Sequence, residues 1–180
     1  MSVTSAAQKQ WELSPAADPV FTPEFYRPYE AAAKSVLMLI SGAANHLPAG
    51  ETVCAVTYRL KTPSSIRGKL IKKGLPPSAS AADTSLRDIA GLRVVLSSID
   101  AVYRFADILL SSPGAQCVAV SDYIASPKKS GYKSLHLLLN VPVTLDGKAL
   151  TVPAEIQLRT AAMDLWASIE HGIFYKPQRT

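Results

Sequence analysis

The stretch YKSLHLLLNVPVTLDGKALTVPAEIQLR, residues 132–159, contains two strands joined by a tight turn. The turn LDGK, residues 145–148, carries an Asp-Gly pair, which favours a short hairpin connection. Along the second strand, one face would carry Val152, Ala154, Ile156 and Leu158, and the other Glu155, Gln157 and Arg159. The stretch therefore predicts a hairpin with one buried face and one polar face. A half-buried strand at the solvent side of a sheet would give the same alternation.

Helices and strands are predicted on the amino-terminal side of this hairpin. Predicted helices begin at Thr22 with Pro23 in the first turn, at Ser64 before SIRGKLIKK, at SLRDIAG (85–91), and at Ser98; another, AAMDLWASIEHGIFY (161–175), follows the hairpin. Further strands are predicted at 52–60, 92–98 and 116–120, and GLPPSASAAD (74–83) is predicted to be a flexible loop. The mixture predicts an α+β fold with a mixed sheet. We expect a flexible segment at 1–20 and a single domain at 21–180.

Composition excludes several classes of protein. Of the 180 residues, 48% are hydrophobic and 18% charged, so a disordered chain is not expected. We find no apolar run long enough to span a membrane and no signal-peptide pattern at the amino terminus. Two cysteines, Cys54 and Cys117, are too few for a disulfide framework. We therefore predict a cytoplasmic protein with free thiols.

Positive charge is concentrated in two places. Six basic residues lie between Arg59 and Lys73, and no acidic residue occurs from Thr52 to Ala82. A second group comprises Lys128, Lys129 and Lys133. Such segregation favours an anionic partner, namely phosphates, nucleic acid or a membrane surface. A solvated basic face is the alternative interpretation.

Two sets of side chains are candidates for phosphate and metal binding: a row on one helix face and a pair of carboxylates. Ser65, Lys69 and Lys72 share one helix face at i, i+4 and i+7, a row that suits a polyphosphate or an ordinary exposed lysine face. Asp88 and Glu155 add two carboxylates, which could hold Mg²⁺ for phosphoryl chemistry. For Asp88, the alternative to a Mg²⁺-binding role is a structural ion pair with Arg93. No glycine-rich phosphate loop of the GxxxxGK[ST] or GxGxxG type occurs, so side chains would have to bind the phosphates.

Four blocks of sequence, in order, resemble the RelA/SpoT-type synthetase domain, and most of all its small stand-alone alarmone synthetases. They are RLKTPSSIRGKLIKKG (59–74), DIAGLR (88–93), DYIASPKKSGYKSLH (122–136) and AEIQLRTAAMDLWASIEHGIFYK (154–176). The resemblance implies a nucleotidyltransferase-like fold, a mixed and mostly antiparallel sheet flanked by helices. It also implies transfer of the terminal pyrophosphate of ATP to the 3′-hydroxyl of GDP or GTP. The products would be AMP and ppGpp from GDP, or AMP and pppGpp from GTP.

The resemblance also implies roles for individual residues. The implied ATP site consists of Arg59 and Arg93 around the adenine and Lys61, Ser65, Lys69 and Lys72 at the phosphates. Asp88 and Glu155 match the catalytic acids that bind Mg²⁺, and Glu155 is also the candidate general base. On the acceptor side, Tyr132 would stack on guanine, and the other implied contacts are Lys128, His136, Gln157 and Asp164.

Alternatives to this function remain at the sequence level. One is a toxin-type relative that pyrophosphorylates the 3′ end of tRNA, for which the basic segment 59–73 would bind RNA. The other is a catalytically silent nucleotide- or RNA-binding regulator. The expected partners are ATP and GDP or GTP, with RNA left open and no membrane. The sequence ends at Thr180, before the helices with which the family builds a tetramer, so that tetramer is not expected and another homo-oligomer is left open.

Overall fold

The computed structural model describes residues 18–114 and 116–174. Its helices and strands, in chain order, are α1 (Pro23–Ala44), β1 (Val53–Leu60), α2 (Pro63–Lys72), α3 (Ala79–Ser85), β2 (Ala90–Leu96), α4 (Ile99–Ser111), β3 (Gln116–Asp122), β4 (Leu135–Leu145), β5 (Lys148–Thr160) and α5 (Ala161–Phe174). None of the helices in these two ranges is both long and apolar enough to cross a bilayer.

One five-stranded sheet organises the domain, in the order β1-β2-β5-β4-β3. The β2–β5 pair is parallel, and the three other neighbouring pairs are antiparallel. The hairpin β4–β5 forms as predicted, with Asp146 and Gly147 at its turn, both at positive φ. The predicted α+β fold with a mixed, mostly antiparallel sheet is confirmed.

The hydrophobic core lies between the sheet and the helices α1 and α4. Val152, Ala154, Ile156 and Leu158 of β5 are all buried on that side, as the alternation predicts. Burial of the valine, isoleucine and leucine side chains stabilises the fold by roughly 1.5–3 kcal/mol each, and burial of the alanine methyl by less. The opposite face of the sheet carries the polar residues of the same strands, so the helices leave this face available for a binding site.

Helix α2 begins earlier than predicted. Its N-cap is Thr62, whose hydroxyl accepts a hydrogen bond from the Ser65 backbone N–H at 3.3 Å, and Pro63 occupies the first turn. Ser64 therefore lies inside the helix, and its prediction as the N-cap was wrong. Proline is favoured at this position because its fixed φ suits the helix and its missing N–H is not needed there. Ile66 and Leu70 are buried, as the predicted division of the helix faces requires.

The segment around residue 80 was predicted with its helix and loop in the wrong places. Helix α3 lies at Ala79–Ser85, so its first five residues fall in the predicted loop, and its N-cap Ser78 accepts from the Ala81 N–H. The SLRDIAG segment is not a helix: Ser85 ends α3, residues 86–89 form an irregular link with bends at Arg87 and Ile89, and β2 begins at Ala90. Leu86 and Ile89 of this link are buried in the core. Pairing of β2 with two neighbouring strands outweighs the weak helical pattern of such a short segment.

Asp18 joins the start of the described chain to α2. Its carboxylate accepts hydrogen bonds from Arg67 at 2.7 and 2.8 Å and from the backbone N–H groups of Val20 and Phe21. Residues 1–17, most of the segment predicted to be flexible, lie outside the described residues, and the domain boundary at residue 21 stays a prediction.

We predict that Asp18→Asn lowers the stability of the domain at neutral pH. The Arg67 and backbone hydrogen bonds lower the pKa of Asp18 to about 2. The ionised carboxylate is therefore more stable in the folded protein than in the unfolded chain, and it contributes to the free energy of unfolding. This stabilisation is fully present above an unfolded pKa of about 3.9 and is lost as the pH falls through about 2. Urea unfolding should show a larger difference between wild type and variant at pH 7 than at pH 2, where about half of the folded molecules carry a protonated Asp18. An equal difference at both pH values would contradict it.

Candidate active site

Pairing register aligns polar side chains in two rows across the exposed face of the sheet. The first row consists of Thr57, Arg93, Gln157, His136 and Ser121. The second consists of Arg59, Gly91, Glu155, Leu138 and Ala119. Gly91 has no side chain, so the space over the sheet between Arg59 and Glu155 stays open. Residues from five strands thus meet on one surface although they are distant in sequence.

Two clefts lie on this surface, on either side of a pair of carboxylates. The first, of about 240 Å³, is lined by Lys69, Lys73, Ser85, Arg87, Ala119, Ser121, Tyr123, His136 and Leu138. The second, of about 210 Å³, is lined by Thr57, Tyr58, Arg59, Gly91, Leu92, Arg93 and Gln157. Asp88 and Glu155 line both clefts. Ligands in the two clefts would therefore meet at these two acids.

Asp88 lies just before β2 and is paired with two lysines. Its Oδ2 atom is 2.8 Å from the Nζ atoms of both Lys61 and Lys69. Burial raises the pKa of Asp88, but the hydrogen bonds from the two lysines outweigh it and hold the pKa below its usual value. Oδ1 is buried and has no hydrogen-bond partner. The side chain is thus held in its ionised form, one of its oxygens has no hydrogen-bond partner, and the alternative Asp88–Arg93 pair does not form.

Both oxygens of Glu155 accept hydrogen bonds, one from His136 on the neighbouring strand β4 and one from Gln157 on the same strand, β5. Oε1 lies 3.2 Å from His136 Nδ1, and Oε2 accepts from the Gln157 amide at 2.8 Å. Burial and the nearby Asp88 charge raise the pKa of Glu155, whereas the His136 and Gln157 contacts lower it, with a net fall. Glu155 is therefore ionised at neutral pH and is a weak proton acceptor.

Tyr132 occupies a packed cluster at the edge of the first cleft. The ring is 9% exposed, and the Lys128 ammonium lies 4.7 Å from its centroid and 4.5 Å from that of Tyr123. The Tyr132 hydroxyl lies 2.8 Å from His136 Nε2. The structure thus brings together three of the predicted acceptor residues, Lys128, Tyr132 and His136. A base stacking on Tyr132 requires the Lys128 side chain to move.

Arg93, which lines the second cleft, pairs with Asp164, which lines neither cleft. Arg93 Nη1 lies 3.0 Å from Asp164 Oδ1, which also accepts from Arg159 Nη1 at 3.1 Å. Asp164 was predicted on the guanosine side, and the structure places it against Arg93, which was predicted at the adenine. Arg59 and Arg93 line the same cleft, as the adenine prediction requires.

Three predicted ATP residues line neither cleft: Lys61, Ser65 and Lys72. Lys61 still reaches the site, because its ammonium pairs with Asp88, which lines both clefts. Ser65 lies in the first turn of α2, where its hydroxyl accepts from Thr62, and Lys72 is exposed at the other end of that helix. Lys73, the next residue, lines the first cleft instead. Sequence reasoning missed Lys73, Arg87, Tyr123 and Arg159 as site residues. Lys73 and Arg87 adjoin predicted site residues in the sequence, whereas the contacts of Tyr123 and Arg159 carried no local signal.

A family comparison agrees with this geometry. Residues 58–180 match the model described as the region found in RelA / SpoT proteins. The chain belongs to the RelA/SpoT family. This confirms the resemblance seen in the four sequence blocks, and residues 58–180 include both carboxylates and every residue that lines the two clefts except Thr57.

RelA/SpoT relatives and structures extend the comparison. The chain is 43% identical over 118 residues to the GTP pyrophosphokinase YwaC of Bacillus subtilis, covering 66% of this chain but only 56% of YwaC. It is 32% identical over 175 residues to the GTP pyrophosphokinase YjbM of the same species, covering 93% of this chain and 74% of YjbM. Small alarmone synthetase 1 from Bacillus subtilis, solved with its product pppGpp, superimposes with a TM-score of 0.77 at 31% identity, covering 87% and 81% of the two chains.

Proposed function

We propose that this chain is a GTP pyrophosphokinase that transfers the β,γ-pyrophosphate of ATP to the 3′-hydroxyl of GDP or GTP, in stringent-response signalling. The observation that carries the proposal is the position of Asp88 and Glu155, which line both clefts. A donor nucleotide in one cleft and an acceptor in the other would react between these acids. The RelA/SpoT relatives are named for this reaction, and one structural neighbour was solved with pppGpp.

The second cleft is the proposed ATP site. Arg59 and Arg93 line it, and a guanidinium over an aromatic base contributes roughly 0.5–2 kcal/mol. The triphosphate would extend toward Asp88, where Lys61 and Lys69 would exchange their carboxylate partner for phosphate oxygens. These lysines would then neutralise the charge of the transferred group.

The first cleft is the proposed acceptor site. His136 lines it, and Lys128 and Tyr132 lie in the cluster at its edge. A guanine stacked on Tyr132 would contribute roughly 1–3 kcal/mol. Lys73 and Arg87 line the same cleft and add two positive charges for the acceptor phosphates. In the reaction, a bond forms between the acceptor 3′-oxygen and the β-phosphorus, and the 3′-hydroxyl proton passes to Glu155, the candidate general base, or to water. The bond from that phosphorus to the oxygen bridging to the α-phosphate breaks, so AMP leaves with the bond electrons.

A divalent cation fits between the two acids. The buried and unpartnered Asp88 Oδ1 faces no competing donor, and Glu155 is ionised beside it. Hard oxygen ligands of this kind suit Mg²⁺, which would neutralise phosphate charge when bound. Asp88 and Glu155 would hold it, with the remaining ligands supplied by substrate and water; the described residues contain no group of three His, Cys, Asp or Glu side chains that could hold a metal ion alone.

A labelled-nucleotide assay tests this function. The purified chain is incubated with γ-labelled ATP, Mg²⁺ and, in separate tubes, GMP, GDP, GTP or tRNA, and the products are separated by chromatography. Equal amounts of labelled guanine product and AMP are expected with GDP or GTP. Label on tRNA alone would establish the toxin-type alternative, and nucleotide binding without transfer would establish a silent regulator. RNA binding, self-association and a cytoplasmic location stay predictions from the sequence.

Lys69 and Lys72 should differ in their effects, although they lie on the same helix. Lys69→Ala removes a cation that contacts Asp88 at 2.8 Å, and we expect the KM for ATP to rise by roughly tenfold, the loss of about one charge-assisted hydrogen bond. Lys72→Ala should change it by less than about twofold, because Lys72 is exposed and lines neither cleft. Equal effects in steady-state kinetics would contradict the proposed path of the triphosphate.

A further inference from the structure

Arg159 is a buried charged residue that the proposed mechanism does not use. Its side chain lies near the end of β5 and is only 3% exposed. Burying a charge is costly unless hydrogen bonds compensate. The Arg159 bonds run from Nε to Ser134 Oγ at 3.4 Å, from Nη1 to Asp164 Oδ1 at 3.1 Å, and from Nη2 to Tyr132 Oη at 2.6 Å and Gln157 Oε1 at 2.7 Å. Four of its five N–H groups are thus directed at fixed partners.

The hydrogen bond from Arg159 Nη2 to the Tyr132 hydroxyl sets the direction of a chain of hydrogen bonds. A guanidinium only donates, so the Tyr132 oxygen accepts from Arg159. The Tyr132 hydroxyl hydrogen is then free to point at His136 Nε2, 2.8 Å away. With Nε2 accepting, a neutral His136 carries its hydrogen on Nδ1 and donates it to Glu155 Oε1 at 3.2 Å.

The second contact of Nη2 fixes an amide. Gln157 Oε1 accepts from Arg159, so the Gln157 NH2 group must point the other way. It donates to Glu155 Oε2 at 2.8 Å. The two chains therefore start at one nitrogen of Arg159 and end at the two oxygens of Glu155. Reversal of either chain would direct an acceptor at a carboxylate, which is unfavourable.

We propose that Arg159 is a positioning residue that orients the Glu155 carboxylate through these two chains, one through Tyr132 and His136 and one through Gln157. The proposal rests on the proposed function for its kinetic consequence only. If Arg159 served packing alone, through Ser134 and Asp164, its replacement would lower stability without changing which His136 nitrogen carries the hydrogen.

Nitrogen-15 NMR of the imidazole rings tests the direction of the first chain without any substrate. The chain contains three histidines, and a His136→Gln spectrum assigns the His136 signals by difference. At a pH where His136 is neutral, the wild type should show the hydrogen on Nδ1. Hydrogen on Nε2 in the wild type would overturn the proposal, and this measurement needs no variant of Arg159 to fold.

Arg159→Gln tests the dependence on the guanidinium. The glutamine amide offers an oxygen that can accept from Tyr132, so His136 should become a mixture of its two neutral forms. Arg104→Gln is the matched control, since Arg104 is exposed and pairs with Glu51 far from the site, and its spectrum should equal that of the wild type. An unchanged His136 spectrum in a folded Arg159→Gln protein would overturn the proposal.

Kinetics separate positioning from substrate binding. For Arg159→Gln, kcat should fall about 10- to 100-fold, as for loss of a residue that orients an essential carboxylate, while the KM for ATP changes less than about threefold. Tyr132→Phe keeps the ring and removes the hydroxyl, so it should lower kcat by interrupting one chain only. A rise in KM with unchanged kcat would overturn the proposal. A wild type without transfer activity would refute the proposed function, whereas the NMR result would still decide the role of Arg159.

Discussion

Glu155→Gln is expected to reduce pyrophosphate transfer by about 10³-fold or more, while the protein stays folded. The substitution keeps the size of the side chain and removes its charge. Glu155 is ionised, accepts from His136 and Gln157, and lines both clefts, so the change removes a negative ligand from the point where the substrates would meet. Loss of one group that stabilises or orients the reacting atoms costs about 10²–10⁴ in rate.

Product formation from labelled ATP and GDP measures the effect of Glu155→Gln. Glu30→Gln is a suitable control because Glu30 lies on α1 and forms only an exposed ion pair with Lys34. Thermal unfolding of both variants should resemble that of the wild type. Glu155→Gln activity within tenfold of the wild type would show that Glu155 is not part of the reacting centre.

Asp88→Asn is expected to abolish turnover to a similar extent and to alter nucleotide binding in a specific way. In the wild type, Lys61 and Lys69 are paired with Asp88, and the free Oδ1 is available for a cation. Asparagine releases both lysines for phosphates but is a weak cation ligand. A non-hydrolysable ATP analogue should therefore bind at least as tightly as in the wild type without Mg²⁺, and Mg²⁺ should no longer strengthen its binding.

Calorimetric titration with and without Mg²⁺ provides this comparison. Asp107→Asn, at an exposed position of α4, controls for loss of a negative charge elsewhere. If Mg²⁺ strengthened binding equally in wild type and Asp88→Asn, the assignment of Asp88 as a metal ligand would fail. The binding result also separates this role from a general destabilisation, which would weaken binding under both conditions.

Local pattern was sufficient for most of the secondary structure. The alternation in residues 150–159 predicts which face of β5 is buried, and Thr22 and Ser98 cap helices where predicted. It failed for residues 74–91, where the local sequence did not distinguish the short alanine-rich helix α3 from the irregular link that follows it. There the outcome depends on burial of Leu86 and Ile89 and on strand pairing, which involve residues far away in the sequence.

The sequence by itself determined the fold class and the family and predicted the two carboxylates, because hydrophobic periodicity, turn residues and four ordered motifs are properties of neighbouring residues. Only the tertiary structure decided which charges meet. The parallel register of β2 and β5 sets Arg93 beside Gln157, and the approach of α2 to Asp88 pairs it with Lys69 but not with Lys72. The tertiary structure also buries Arg159 against Tyr132, which lies 27 residues earlier in the chain. Such contacts depend on strand order and helix docking, and a linear pattern carries no information about distances of a few ångströms between distant segments.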